Sequence, residues 1–385
     1  MVSFVWSVAD LLRGDYKQSE YGKAILPFVV LRRLDCVLEP TKKAVLEAHE
    51  KWKGKPVHHE FLLKASGHSF YNTSSLTFER IAADPSQAAN NLTHFINAFS
   101  DDAREVLEKY EFPRQIQRLD NAGLLYRVVG RFADLKLHPE RVTNMQMGYI
   151  FEELIRRFSE ISNETAGEHF TPREVIKLMA NLLLAPDEDS LRGPGVIKEI
   201  LDPACGTGGM LTEMHDHITA LNPDARAVVF GQELNPESWA ICRSDLMIKG
   251  QDPKNIRFGN SFSDDRHRYG TFDYMLANPP FGVEWKKVKD EVEAEHDLGH
   301  SGRFGAGLPR INDGSLLFLQ HMISKMKPVK VDEDGEKRGG SRIAIVFNGS
   351  PLFTGAAGSG ESEIRRWILE NDWLEAIVAL PDQLF

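Results

Sequence analysis

The chain has 385 residues, 42% of them apolar and 26% charged, a composition that describes a globular protein too long for one ordinary core and predicts two domains. No apolar run approaches the about 20 residues of a membrane helix, and Met1 to Asp10 lacks the basic start and small-residue cleavage site of a signal peptide, so a cytoplasmic location without membrane contact is expected. The net charge of -10 argues against a protein that grips nucleic acid unaided: either nucleic acid is not the substrate or a separate subunit supplies most of the grip.

Residues 1–155 read as helical. Apolar residues recur three and four apart in Val8 to Arg13 and in Tyr21 to Leu38, and the pattern returns in Ala88 to Phe99, Ala103 to Tyr110 and Met147 to Phe158. No catalytic spacing occurs there, and a scaffold or partner-binding role is the expectation. His58, His59 and His68 read as solvated loop residues. The three cysteines, Cys36, Cys205 and Cys242, have neither metal-ligand nor redox spacing and read as small reduced core residues. No metal is expected.

A polar link, Ser159 to Ala166, leads into Gly167-Glu168-His169-Phe170-Thr171-Pro172-Arg173-Glu174. Thr171 reads as an N-cap, Pro172 as the first helical residue and Glu174 as the partner in a capping box, ahead of an apolar helix face from Val175 to Leu183. A helix start of this kind offers free N–H groups to a ligand. Next, the strand-like Val196 to Leu201 ends in Asp202-Pro203-Ala204-Cys205-Gly206-Thr207-Gly208-Gly209 before a helix. The glycine spacing differs from the dinucleotide fingerprint, in which the third glycine stands three residues beyond the second. A second strand, Ala227 to Gln232, ends in Glu233, a carboxylate placed to accept from ribose hydroxyls. Together these stretches describe a nucleoside-containing cofactor without a pyrophosphate.

A third strand, Asn255 to Phe258, runs into Gly259-Asn260, where Asn260 is a candidate for an adenine amine. The apolar run Phe272 to Ala277 then ends in Asn278-Pro279-Pro280-Phe281. Two prolines donate no backbone hydrogen bond, so their neighbouring carbonyls are open to a donor. Asn278 Oδ1 and the Pro279 carbonyl can accept both hydrogens of a flat exocyclic amine, while Phe281 stacks on the ring that carries it. Read alone, the same residues are equally a plain loop. Val283 to Arg310 is long, charged and glycine-rich, and is expected to close over substrate. Asp313 to Lys327 reads as helix, Arg342 to Phe347 as a fully buried strand, Ser362 to Asn371 as helix and Leu374 to Leu380 as a further strand.

These motifs, taken together and in this order, resemble the methylation subunit of Type I restriction-modification systems, a gamma-class adenine-N6 DNA methyltransferase. The resemblance covers nearly the whole chain. Leu11 to Tyr16 through Leu31 to Asp35 is similar to the family's helical domain, Gly167 to Arg173 to its cofactor motif, Asp202 to Gly209 to its glycine turn and Asn278 to Phe281 to its catalytic tetrapeptide. It implies an α/β fold: a Rossmann-like class I methyltransferase sheet flanked by helices (156–385), preceded by an all-α N-terminal domain (1–155). It implies that Glu168, His169, Phe170, Thr171, Pro172, Arg173, Thr207, Gly208 and Gly209 lie along S-adenosylmethionine, with His169 standing where the family has an aromatic residue. Asp202, Gly206, Glu233 and Asn260 complete the implied cofactor site. The implied partners are double-stranded DNA with a flipped adenine, a specificity subunit that reads sequence and a restriction subunit that cleaves. The family continues beyond the equivalent of Phe385, including the sheet's last strand, so the methyltransferase domain is expected to be incomplete at its C-terminus. Transfer to a glutamine side chain or an RNA base, a cofactor-binding subunit without transfer, and a nicotinamide dehydrogenase are the rival readings.

Overall fold

A computed structural model describes residues 2–162, 171–331, 337–381 and 384. Glu168, His169 and Phe170 of the expected cofactor motif lie outside them. The chain forms two compact units, residues 1–166 with 240–254, and residues 167–239 with 255–385.

The first unit is helical and is built around Tyr21–Leu38, in which every residue except Lys23 is buried. A helix apolar on nearly all sides has to be surrounded. Phe28 sits edge-on to Phe112 at 4.7 Å and stacks on Phe132 at 5.3 Å. Arg32 and Arg33 follow on the same helix, and both are buried. Inside the core both donate to main-chain carbonyls: Arg32 to Ala133 and Leu135, Arg33 to Leu137 and Val142. Arg33 also donates to Asn144 Oδ1 at 2.7 Å. Residues 240–254 join this unit through Arg243, which reaches Asp102 at 2.7 Å and Glu105 at 3.0 Å, and through Ser244 Oγ, 3.0 Å from Tyr110 Oη. Of the histidines expected in a loop, His58 and His59 belong to the helix His58–Ser66; His59 is exposed as expected, whereas His58 is half-buried and meets His49 at 3.0 Å, and His68 is half-buried and stacks on Phe70.

The second unit carries a parallel sheet of five strands, β1 (Ile197–Asp202), β2 (Arg226–Glu233), β3 (Ile256–Phe258), β4 (Tyr274–Ala277) and β5 (Arg342–Ile345), in the spatial order β3-β2-β1-β4-β5. Helix Gly209–Leu221 connects β1 to β2, and helix Ser315–Ile323 lies between β4 and β5. The α/β expectation with a helical region before it is met. Strand order reverses between β1 and β4, and at such a switch point the loops after the carboxyl ends of the strands part to leave a crevice. All four residues of β4 are buried, with Leu201, Met275, Ala277, Phe272 and Met322 forming one core cluster.

Two strand expectations need correction. β5 is half-exposed along its length rather than fully buried. Leu374 to Leu380 forms no strand: the segment is exposed, with Ile377 at 61%. An apolar run alone does not make a strand, because the backbone groups need a partner edge, and this segment reaches the sheet through the side-chain pair of Glu375 with Arg342. Val283 to Arg310 also differs from the expected loop. It contains helix Lys289–His296 and buries Trp285, Val292 and Phe304 against Phe262 and Leu317, which makes it a packed piece of the unit.

Candidate active site

The glycine turn follows β1. Gly206 (φ +52°) and Gly208 (φ +87°) both take left-handed backbone conformations, which is why the turn needs glycine there. Helix Gly209–Leu221 starts at once, and a Cβ on Gly209 would stand 3.4 Å from Ile176, so the residue lets helix Arg173–Leu184 pack closely. Thr207 lies between the two left-handed glycines.

Two carboxylates flank this turn. Asp202, at the end of β1, is 2% exposed and accepts from the Ala204 N–H at 2.9 Å. Burial pushes its carboxyl up to about 8, the Ala204 N–H pulls it down, and the charge of Glu233 adds to the rise. Glu233, at the end of β2, accepts from Gly206 N–H at 2.8 Å and from Asn235 N–H at 2.7 Å. The Gly206 N–H, which a dinucleotide fold would offer to a pyrophosphate, is therefore committed to a carboxylate.

Asn260, after β3, spends Oδ1 on the Phe262 N–H at 2.9 Å, holding its own turn. Ser261 Oγ donates to the Pro203 carbonyl at 2.6 Å and so ties that turn to the start of the glycine turn. Arg303 then clamps it from outside, donating to the carbonyls of Ser261 at 2.6 Å and Phe262 at 2.5 Å and pairing with Glu295. His321 Nδ1 lies 2.9 Å from Arg303, and burial with its cationic neighbours holds this imidazole far below its usual range, hence neutral. Ser261 and Arg303 were missed in the sequence, where no local signal links a residue at 303 to one at 261.

The tetrapeptide stands at the end of β4, on the strand next to β1. Val346 N–H bonds the Ala277 carbonyl at 2.9 Å, the last rung before the chain turns out. Asn278 Nδ2 donates to Thr171 Oγ1 at 2.9 Å, whereas Asn278 Oδ1 is buried with no partner. Pro279 is buried, Pro280 and Phe281 are half-buried, and Gly282 (φ +63°) reverses the chain.

The capping box expected at Thr171 does not form. Helix Arg173–Leu184 has Pro172 at its N-cap position and no side-chain cap bond. Proline at φ -53° holds the extended entry, and the threonine hydroxyl one residue earlier is turned to Asn278 instead. Arg173 opens the helix.

Residues 143–385 match the N-6 DNA methylase family, and residues 1–132 match the HsdM N-terminal domain. The chain belongs to the N-6 DNA methylase family. Relatives of this chain include the Type I restriction enzyme MjaIX methylase subunit of Methanocaldococcus jannaschii, 25% identical over 399 residues, which take in 99% of this chain and 66% of that protein. The HindI methylase subunit of Haemophilus influenzae is 28% identical over 241 residues, 62% of this chain and 48% of that protein. The chain thus spans about half to two thirds of the length of these curated relatives. The fold matches that of the type I restriction-modification methyltransferase subunit from Streptococcus thermophilus, with TM-score 0.67 and 22% identity over 96% of this chain and 78% of that one. Among the described residues no helix is long and apolar enough to cross a membrane, and no cluster of three or more His, Cys, Asp or Glu is arranged to hold a metal.

Proposed function

We propose that the chain methylates adenine N6 in DNA as the modification subunit of a Type I restriction-modification complex. The observation that carries this reading is the buried, unpartnered Oδ1 of Asn278 at the end of β4. A buried acceptor left open costs about 1–3 kcal/mol, and a site that keeps one is complementary to a donor that arrives with the substrate. The exocyclic amine of adenine is such a donor.

The residues at the ends of β1 and β2 fit S-adenosylmethionine. Glu233 supplies negative charge for a cationic ligand and acceptors for ribose hydroxyls, Asp202 adds a buried carboxyl that burial keeps protonated, the space over Gly206 is open, and no N–H of Gly206 is left for a phosphate. Under this reading Glu168, His169, Phe170, Thr171, Pro172 and Arg173 border the cofactor from one side, Thr207, Gly208 and Gly209 from another, and Asn260 lies near its adenine. Held there, S-adenosylmethionine would supply an electrophilic sulfonium methyl group for adenine N6.

The work of this chain is positioning and polarity. Asn278 is an amide and serves as no base, so it acts by accepting from the amine together with the Pro279 carbonyl. That pairing favours a pyramidal nitrogen whose lone pair is withdrawn from the ring, and fixed acceptors cost no reorganisation at the moment of transfer. Phe281 offers a stacking surface to a base taken out of the duplex. With a net charge of -10, the chain is expected to reach DNA through a specificity subunit, with a restriction subunit as the third component, in the cytoplasm.

The test is Asn278→Ala in the full-length chain assembled with its DNA-reading subunit, using labelled cofactor and nucleoside analysis. Transfer to adenine falls on the order of 10²-fold or more while cofactor affinity stays within about twofold. Label arriving in protein or RNA rather than in DNA would replace this acceptor with another, and equal loss of binding and transfer would remove Asn278 from its role.

A further inference from the structure

Building on the reading above, we infer that Thr171 is a positioning residue for Asn278, setting which edge of the Asn278 amide faces the incoming amine, rather than chiefly a wall of the cofactor site. The observation is a pair of facts about one side chain: Nδ2 is bound to Thr171 Oγ1 at 2.9 Å, and Oδ1 is buried without a partner.

A primary amide has two edges of nearly equal shape and opposite polarity. Turning it by half a revolution exchanges an acceptor for a donor. For an amine substrate only one orientation works, since an NH2 facing another NH2 offers no acceptor. The amide has a standing reason to turn, because an enclosed carbonyl oxygen without a donor is unfavourable. Thr171 Oγ1 accepts from Nδ2 in the working orientation and opposes the turn while its own hydroxyl hydrogen is directed away from Asn278, since a hydroxyl can also donate.

Both ends of the hydrogen bond are on fixed mounts. Asn278 follows a fully buried strand and precedes two prolines with restricted φ. Thr171 precedes Pro172, and the helix that begins at Arg173 buries Val175, Ile176, Met179, Ala180, Leu183 and Leu184. The threonine hydroxyl is not spent on that helix, whose N-cap position is occupied by Pro172 with no side-chain cap bond. The residues lie 107 positions apart in sequence, and this bond joins the entry of the cofactor-motif helix to the exit of β4. A loosened Thr171 would leave the cofactor's own contacts largely intact and degrade the orientation of the acceptor.

The experiment compares Thr171→Val, Thr171→Ser and Thr171→Ala in the full-length chain with its DNA-reading subunit, measuring kcat, KM for DNA and the equilibrium Kd for S-adenosylmethionine. Valine keeps the shape and deletes the acceptor, so kcat falls about tenfold while Kd and KM stay within about twofold. Serine restores the acceptor and returns kcat to within about threefold of the parent. Alanine reproduces the valine result and guards against a variant that merely packs badly. A raised Kd with unchanged kcat in Thr171→Val would overturn the inference and make Thr171 a cofactor contact, and so would equal kcat loss in the valine and serine variants. Absence of N6-methyladenine with the parent chain would instead defeat the reading on which this one rests, before any variant is compared.

Discussion

Arg33 in the helical unit and Asn278 in the sheet unit are buried in opposite ways. In the helical unit Arg33 is 0% exposed, yet its terminal nitrogens are met by the Leu137 and Val142 carbonyls and by Asn144, leaving only Nε without a partner. In the sheet unit the buried groups at the ends of β1 and β4 are left partly unmet: Asp202 has no cation to balance it among its described partners, and Asn278 Oδ1 has no donor. A core that closes its own polar groups is made for architecture. Groups left open at the switch point of an α/β sheet are held for something that binds.

Three measurements bear on that contrast. The largest effect belongs to Asp202. Its native carboxyl is raised to about 8, so between pH about 4 and about 8 the folded protein keeps a proton that the unfolded chain has lost. Stability from this group is full below pH 4 and is lost as pH rises through 8, by as much as about 5 kcal/mol. Denaturant midpoints at pH 5 and pH 8.5 should therefore fall in the parent, and the fall should shrink in Asp202→Asn; identical falls in both would place the effect elsewhere. Arg33→Ala comes next, costing about 3 kcal/mol because it opens a cavity and strands two carbonyls and an amide oxygen. Loss below 1 kcal/mol would mean that water replaces the guanidinium and the core is not closed. Asn278→Ala has the smallest effect and the opposite character. Deleting the unmatched acceptor offsets the loss of the Nδ2 bond to Thr171, so stability changes by less than about 1 kcal/mol even as transfer collapses. A clear destabilisation would show that Asn278 is held for the fold.

Much of the sheet unit was legible because its signals are local. Apolar runs ending in Asp202-Pro203 through Gly209, in Glu233 and in Asn278-Pro279-Pro280 each carry strand and turn chemistry within a few residues, and β1, β2 and β4 lie where those runs are. What was misread depended on distant partners. Thr171-Pro172-Arg173-Glu174 fits a capping box by spacing, but the hydroxyl is drawn to Asn278, which no local rule predicts. Leu374 to Leu380 is apolar enough to read as a strand and still forms none, because pairing is a property of two segments. The segment from Val283 to Arg310 was read as a loop from its charge and glycine, whereas Trp285, Val292 and Phe304 bury themselves against Phe262. Arg303, which ties that segment to the Ser261 and Phe262 carbonyls, looked like one charge among many.

The helical unit includes residues 240–254, some 70 positions beyond the rest of it. Arg243 and Ser244 complete its polar contacts with Asp102, Glu105 and Tyr110. On the ribosome, this unit therefore cannot reach its final form when residue 166 emerges. It waits until β1, β2 and the helix after them have been made, so the two units finish as interleaved events, and nascent chains stalled at 170 and at 290 should differ sharply in the protease resistance of their first 160 residues.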